Sequence, residues 1–166
     1  MDPFFIWLEG SALSSFIVQT DSVFVFPAIL TLHAVGMSFL VGTHAAIGFR
    51  ILGIAHKVPI EAMASFVPVA RIGLGLNVFS GVLLLIGYPT KALTNPLFYF
   101  KLTLIGLALT TFSFVSKRVF AGGTAPVVSP RVSNKALAVV LICLWASTII
   151  AGRFLAYTYT RLTVFH

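Results

Sequence analysis

The chain alternates between long apolar runs and short polar segments that carry most of its charge. Each of four runs has the roughly 20 apolar residues that a helix needs to cross a hydrocarbon core of about 30 Å. They lie near 23–48, 64–88, 97–116 and 136–157. We therefore predict an all-α fold, an integral-membrane four-helix bundle that forms one membrane domain over residues 1–166, with a turn at 89–96.

The segment before the first run follows a different pattern. Within residues 1–22, apolar and aromatic side chains are interspersed with polar ones: Phe5, Trp7, Leu8, Ala12 and Phe16. This pattern is typical of a short amphipathic helix that lies in the membrane interface with its aromatic side in lipid. Inside the spans, six glycines are expected to let helices approach closely: Gly36, Gly42, Gly48, Gly73, Gly75 and Gly81.

Composition agrees with a chain in the lipid bilayer, since 58% of the residues are apolar and only 9% are charged. The net charge of +7 indicates no nucleic-acid partner here, because basic residues collect beside spans on the cytoplasmic side. Six of them lie in the 50–62 and 116–135 connections, whereas only Lys91 and Arg161 lie on the other side. We predict a multi-pass membrane protein with both termini on the side of the membrane away from the cytoplasm.

Ionisable residues inside a bilayer are the default functional candidates because charge is costly there. The predicted spans contain five: His33, His44, Arg71, Lys101 and Arg153. All four acids of the chain lie outside the spans. The buried cations therefore need another group to neutralise or hydrate them. The candidates are lipid phosphate, water, a partner protein or an anionic ligand.

Depth along the first span suggests what the anion is. His33 lies about 15 Å into the membrane from the outer side, and Lys101 and Arg153 lie about 6 Å deep from the same side. An upright haem ligated by His33 would bring its two propionates to the level of Lys101 and Arg153. We therefore predict a haem b with His33 as the iron ligand. The alternatives are a His33 ring that is hydrogen-bonded within the bundle and cations that extend to the headgroups.

A second anionic site is expected around His44 and Arg71. His44 follows His33 by eleven residues, which is three helical turns, so both project from one face. The alternative is that Arg71 and Arg50 reach cytoplasmic headgroups.

The sequence does not identify the second axial ligand of the iron. The second, third and fourth spans contain no histidine. His33 and His44 lie about 16 Å apart along one helix and cannot share an iron. The sixth ligand would be Lys101, water, a residue of another subunit as in a two-fold dimer, or nothing.

Several strings resemble a family of small uncharacterised bacterial four-span inner-membrane proteins, a domain of unknown function. These are WLEGSALSSFIVQ, LHAVGMSFLVGTHAAIGFRILG, NPLFYFKLTLIGLAL and LICLWASTIIAGRFLAYT. The likeness covers essentially the whole chain and implies the four-span fold without an activity. An acid that often precedes the arginine after the first span in that family is absent, because Gly48 and Phe49 stand there.

The layout of His33 in the first span, Arg50 at its end and Lys101 at the start of the third is similar to HemJ-type protoporphyrinogen oxidases. Those are four-helix haem-binding membrane proteins, and the copper-resistance D-type membrane proteins are similar too. The resemblance implies that His33 ligates haem and that Lys101 is needed beside it.

Together these observations favour a cytochrome-like electron-transfer protein that acts with a quinone or a membrane partner. Two alternatives are a non-catalytic accessory or assembly subunit of a larger membrane complex and a transporter of a small anion or metal. We expect a homo-oligomer or a subunit of such a complex. Hydrolytic catalysis has little support because the spans contain no carboxylate, and whether the protein is an enzyme is open.

Overall fold

The computed structural model describes residues 7, 10–19, 24–120 and 132–162, with the side chains of the last helix described over 134–158. Within these residues the regular elements are six α-helices and a 3₁₀ turn, Glu61–Ser65, with no strand. The helices are α1 Ala12–Gln19, α2 Val25–Leu52, α3 Phe66–Gly87, α4 Pro89–Leu93, α5 Pro96–Phe120 and α6 Val132–Leu162. The predicted all-α fold is confirmed.

Four of these helices, α2, α3, α5 and α6, are long and apolar enough to cross a membrane. They correspond to the four runs predicted from the sequence, and the ends differ by one to five residues. The expected turn at 89–96 contains the short helix α4, because Pro89 occupies a first helical position, where its missing N–H is not needed.

Two helix ends are fixed by local sequence. Gly53 ends α2 in the left-handed region at φ 95°, and the amides of Gly53 and Ile54 bond to the carbonyls of Arg50 and Phe49. This is the Schellman arrangement, which favours glycine because a Cβ would strain the backbone there. At the start of α5, the Asn95 side chain accepts a hydrogen bond from the Leu97 amide, 3.0 Å away, and caps the helix.

The long helices form two antiparallel pairs. α2 packs against α3, α5 packs against α6, and α2 also contacts α6 and joins the pairs. In contrast, α3 and α5 do not pack closely against each other. The loosest side of the bundle therefore lies between α3 and α5.

The closest helix contact is the crossing of α2 and α3 at Gly36 and Gly73. A Cβ built on Gly73 would lie 2.7 Å from the Leu40 nitrogen and 2.9 Å from the Gly36 oxygen. A Cβ on Gly36 would lie 2.9 Å from the Asn77 nitrogen. These neighbours are backbone atoms that cannot rotate away, so the crossing depends on glycine at both positions.

The other glycines of the predicted set differ in what they contact. Gly48 approaches α6, where its Cβ would lie 3.2 Å from the Ile142 side chain, and Gly81 lies against His33. Gly42 and Gly75 have no neighbour within 4 Å of a built Cβ. Close packing is therefore confirmed for four of the six glycines.

The two halves of the bundle have different interiors. We call the end where α2 finishes and α6 begins the basic end, and the other the opposite end. Large apolar side chains fill the core of the half toward the basic end, including Leu40, Ile47, Phe112, Leu141 and Trp145. Toward the opposite end, the buried polar side chains are Asn77, Ser80 and Thr148, beside buried Ala151, Ile29 and Leu104.

The N-terminal helix α1 rests on the end of α3. Ile17 is 4% exposed, and its side chain would lie 3.0 Å from a Cβ on Gly87. Trp7 and Phe16 are exposed. The lipid contact expected for the aromatic side of the 1–22 segment stays a prediction, and Phe5 and Leu8 lie outside the described residues.

Candidate functional site

The half with the polar interior contains His33, held by α3. Its Nδ1 lies 3.0 Å from the Ser80 hydroxyl oxygen. Ser80 has one hydroxyl proton and donates it to the Leu76 carbonyl, which can only accept; the two oxygens lie 2.6 Å apart. We therefore assign Nδ1 as the protonated nitrogen that donates to Ser80, which leaves the lone pair of His33 on Nε2.

The backbone of His33 is fixed as well. The Asn77 side-chain amide donates to the His33 carbonyl at 3.0 Å. Asn77, Ser80 and Gly81 lie on one face of α3, three to four residues apart. A Cβ on Gly81 would lie 3.6 Å from Cε1 of the His33 ring, so the ring lies directly over this glycine. Both the position and the orientation of the imidazole are therefore determined by α3.

The other ring nitrogen, Nε2, makes no hydrogen bond to a residue that the structure describes. His33 is half-buried, and the described part of the chain contains no fully buried side-chain nitrogen or oxygen without a partner. Nε2 is therefore accessible. A histidine whose one nitrogen donates to a protein group while the other presents a lone pair is the arrangement typical of metal-ligating histidines.

Lys101 approaches the same place from α5. It is half-buried and lies within the range of long-range electrostatic interaction with His33. Its side chain lies against Gly152 of α6, with Cε and Nζ each 3.7 Å from a Cβ built on that glycine, an ordinary contact distance. His33 and Lys101 therefore lie in the same half of the bundle, His33 against α3 and Lys101 against α6.

The two arginines of the predicted sites lie elsewhere on the bundle. Arg153 follows Gly152 and is exposed, so its side chain is on the outer surface of α6 while Lys101 is inside. Arg71 is exposed on α3, and no hydrogen bond joins it to His44. The structure brings together His33 and Lys101 from the predicted set and leaves Arg153 and Arg71 at the surface.

His44 has a different environment, toward the basic end. It is 1% exposed, and the Trp145 indole N–H donates to its Nδ1 at 3.0 Å. Its ring stacks on Phe112, with centroids 3.7 Å apart. Because the indole can only donate, Nδ1 of His44 is an acceptor and its proton lies on Nε2. His44 thus joins α2, α5 and α6, which favours a packing role over the predicted second anionic site.

We expect Trp145→Phe to lower the free energy of unfolding by about 1–3 kcal/mol, because buried His44 loses its hydrogen-bond donor. Thermal unfolding in detergent measures the effect. Tyr157→Phe, at an exposed position of the same helix, is the control. Equal stability of the two variants would show that the His44–Trp145 pair does not stabilise the bundle.

The donor set near His33 fits a haem better than a metal held by protein alone. Among the described residues, no group of three or more His, Cys, Asp or Glu side chains could hold a metal ion. A haem supplies four nitrogens of its own and requires one protein ligand, as in globins. His33 Nε2 offers that ligand, and the Lys101 ammonium offers a cation for a propionate.

Sequence reasoning included the hydroxyl partner of His33 only as a general alternative and did not identify Ser80, Gly152 or Trp145. It predicted Gly81 as a packing glycine but not as the neighbour of His33. The sequence does contain a signal for Ser80. It is a small polar residue three positions after Asn77, so the two lie on the same face of a mostly apolar helix. Gly152 and Trp145 have no such signal, since their roles depend on which helix lies opposite.

Comparisons with protein-family models, with curated proteins and with solved structures find no match for this chain.

Proposed function

We propose that this chain is a multi-pass protein of the bacterial inner membrane with its basic end in the cytoplasm. Four helices suited to crossing a bilayer support the membrane location. The basic end carries five described basic residues, Arg50, Lys57, Lys117, Arg118 and Lys135, whereas Lys91 lies in the short connection at the opposite end. Positive charge favours the cytoplasmic side. This orientation puts both termini in the periplasm.

We propose further that the protein binds haem b through His33 Nε2 and transfers electrons. The observation that supports this most is the hydrogen bond from His33 Nδ1 to Ser80, which leaves Nε2 accessible with its lone pair. The layout that resembles HemJ-type proteins assigns the same residue.

The neighbouring residues have separate roles in this proposal. Lys101, whose side chain lies against Gly152, pairs with a propionate. Arg153, on the outer surface one residue on, contacts headgroups or the edge of the cofactor. The polar side chains of Asn77 and Ser80 hold the ligand histidine in place. When bound, haem would supply a one-electron centre, and a quinone or membrane partner would exchange electrons with it.

An absorption spectrum of the purified protein tests this function. We expect a Soret band that shifts when dithionite is added, with about one haem per chain or one per dimer. The second stoichiometry would identify a His33 pair across a two-fold axis as the axial ligands. Protein purified from haem-supplemented cells without a Soret band would refute haem binding.

We expect Lys101→Gln to weaken haem binding about ten- to hundredfold, since a hydrogen bond to a charged group is worth about 1.5–3 kcal/mol. It also lowers the reduction potential, because loss of a nearby positive charge stabilises the oxidised, more positive iron. Haem titration and a redox titration measure the two effects. Lys91→Gln, at the same end but outside the long helices, is the control. A potential unchanged relative to this control would remove Lys101 from the site.

A second candidate is an accessory subunit of a larger membrane complex. It is favoured by three glycines of the long helices, Gly42, Gly75 and Gly106, that have no neighbour within 4 Å of a built Cβ. Such residues let helices of another chain approach closely. Crosslinking in membranes distinguishes the candidates. The subunit role is favoured if a stoichiometric partner is crosslinked to the unaltered protein and to His33→Ala but is lost in Gly42→Leu or Gly106→Leu.

A further inference from the structure

The basic end contains a cavity that the haem proposal does not use. Its volume is about 270 Å³, and it lies between the end of α2 and the beginning of α6. The lining residues are Arg50, Ile51, Gly53, Ile60, Val119, Asn134 and Lys135. Pockets for drug-sized ligands usually have volumes of roughly 300 Å³ or more. The cavity is slightly smaller, so it suits a group the size of a lipid headgroup.

The charge of the cavity is positive. Arg50 and Lys135 supply two cations, Asn134 supplies an amide, and no acid lines the wall. The acid next to the lining residue Ile60 is Glu61, which is exposed and forms no ion pair with Arg50 or Lys135 in the part of the chain that the structure describes. The two cations are therefore not neutralised by a carboxylate within hydrogen-bonding reach.

Arg50 is held in position for a ligand. Its Nε donates to the Val58 carbonyl, across the loop that follows α2. The left-handed Gly53 turns the chain back at the end of α2 so that this loop comes within reach. The terminal guanidinium nitrogens make no hydrogen bond to a described residue. A planar guanidinium fixed at one nitrogen presents the others in a geometry that matches phosphate oxygens.

We propose that this cavity binds a phosphate-bearing anion, with Arg50 and Lys135 on the phosphate oxygens and Asn134 as an additional donor. The apolar lining residues Ile51, Ile60 and Val119 suit the carbon part of such a ligand. Two sources share this chemistry, the headgroup of an anionic phospholipid and a soluble phosphate ester. The site is independent of His33, which lies toward the opposite end.

Native mass spectrometry of the detergent-solubilised full chain tests the proposal with two probes, a short-chain phosphatidylglycerol and glycerol 3-phosphate. We expect the lipid to bind and Lys135→Gln to weaken it about tenfold or more, as for loss of one charge-assisted hydrogen bond. Arg50→Lys tests the guanidinium geometry, since it keeps the charge and loses the planar fork. Lys117→Gln, an exposed lysine near the end of α5 that does not line the cavity, is the control.

Each outcome decides the proposal. Binding of the lipid alone, weakened in Lys135→Gln and not in Lys117→Gln, identifies a headgroup site. Binding of both probes with the same dependence identifies a general phosphate site. Equal binding in all variants, or no binding of either probe by protein with normal thermal unfolding, overturns the proposal. Haem content, measured in parallel, is expected to stay unchanged in these variants.

Discussion

The His33→Gln variant is expected to lose haem entirely while the bundle stays folded. The proposed iron ligand is removed, and no second histidine lies within reach of that place among the described residues. Glutamine is similar in length, and its side-chain amide can still donate to Ser80. The Soret absorbance per protein measures the loss, with thermal unfolding as the check on folding.

The matched control is His56→Gln, an exposed histidine in the loop after α2. We expect it to keep the spectrum of the unaltered protein. A Soret band of full intensity in purified His33→Gln would refute His33 as the ligand.

Ser80→Ala separates a ligand histidine from a purely structural one. The variant keeps His33 but removes the acceptor of its Nδ1 proton, and loss of such a supporting group typically weakens metal binding about 10–100-fold. It also changes the reduction potential, because the hydrogen bond increases the basicity of the ligand. If His33 has only a structural role, Ser80→Ala should lower stability, and any haem that remains bound should keep its spectrum.

Gly73→Ala is expected to lower both the stability of the bundle and its haem binding. The added Cβ would lie 2.7 Å from the Leu40 nitrogen, so α2 and α3 must separate. Overpacking of this kind costs about 1–3 kcal/mol. Because Asn77 and Ser80 hold His33 only at the present helix distance, haem binding should fall together with the unfolding temperature in detergent.

Gly75→Ala is the control on the same helix. Its Cβ would meet nothing within 4 Å, and replacing glycine by alanine inside a helix favours the helix by about 0.8–1.0 kcal/mol. Its stability should therefore be equal or higher. A Gly73→Ala variant as stable as Gly75→Ala would show that the α2–α3 crossing tolerates a side chain.

The helical fold was predictable because it depends on properties that are local in the sequence. Long apolar runs require helices with internally satisfied hydrogen bonds, and Gly53, Asn95 and Pro96 mark ends that involve only their neighbours. The run near 97–116 became α5, Pro96–Phe120, for this reason. The short helix α4 and the 3₁₀ turn Glu61–Ser65 were missed, because a five-residue element has no apolar periodicity to read.

By itself, the sequence determined the four long apolar helices, the collection of basic residues at one end and the short list of ionisable residues within the spans. The tertiary structure decided which of those residues meet. It placed His33 beside Ser80, 47 residues away, and His44 beside Trp145, 101 residues away. It also placed Lys101 inside the bundle and Arg153 outside. The physical reason is that the histidine rings in this apolar helix find their hydrogen-bond partners on other helices, and which partner His33 meets depends on how closely α2 and α3 approach, here at Gly36 and Gly73.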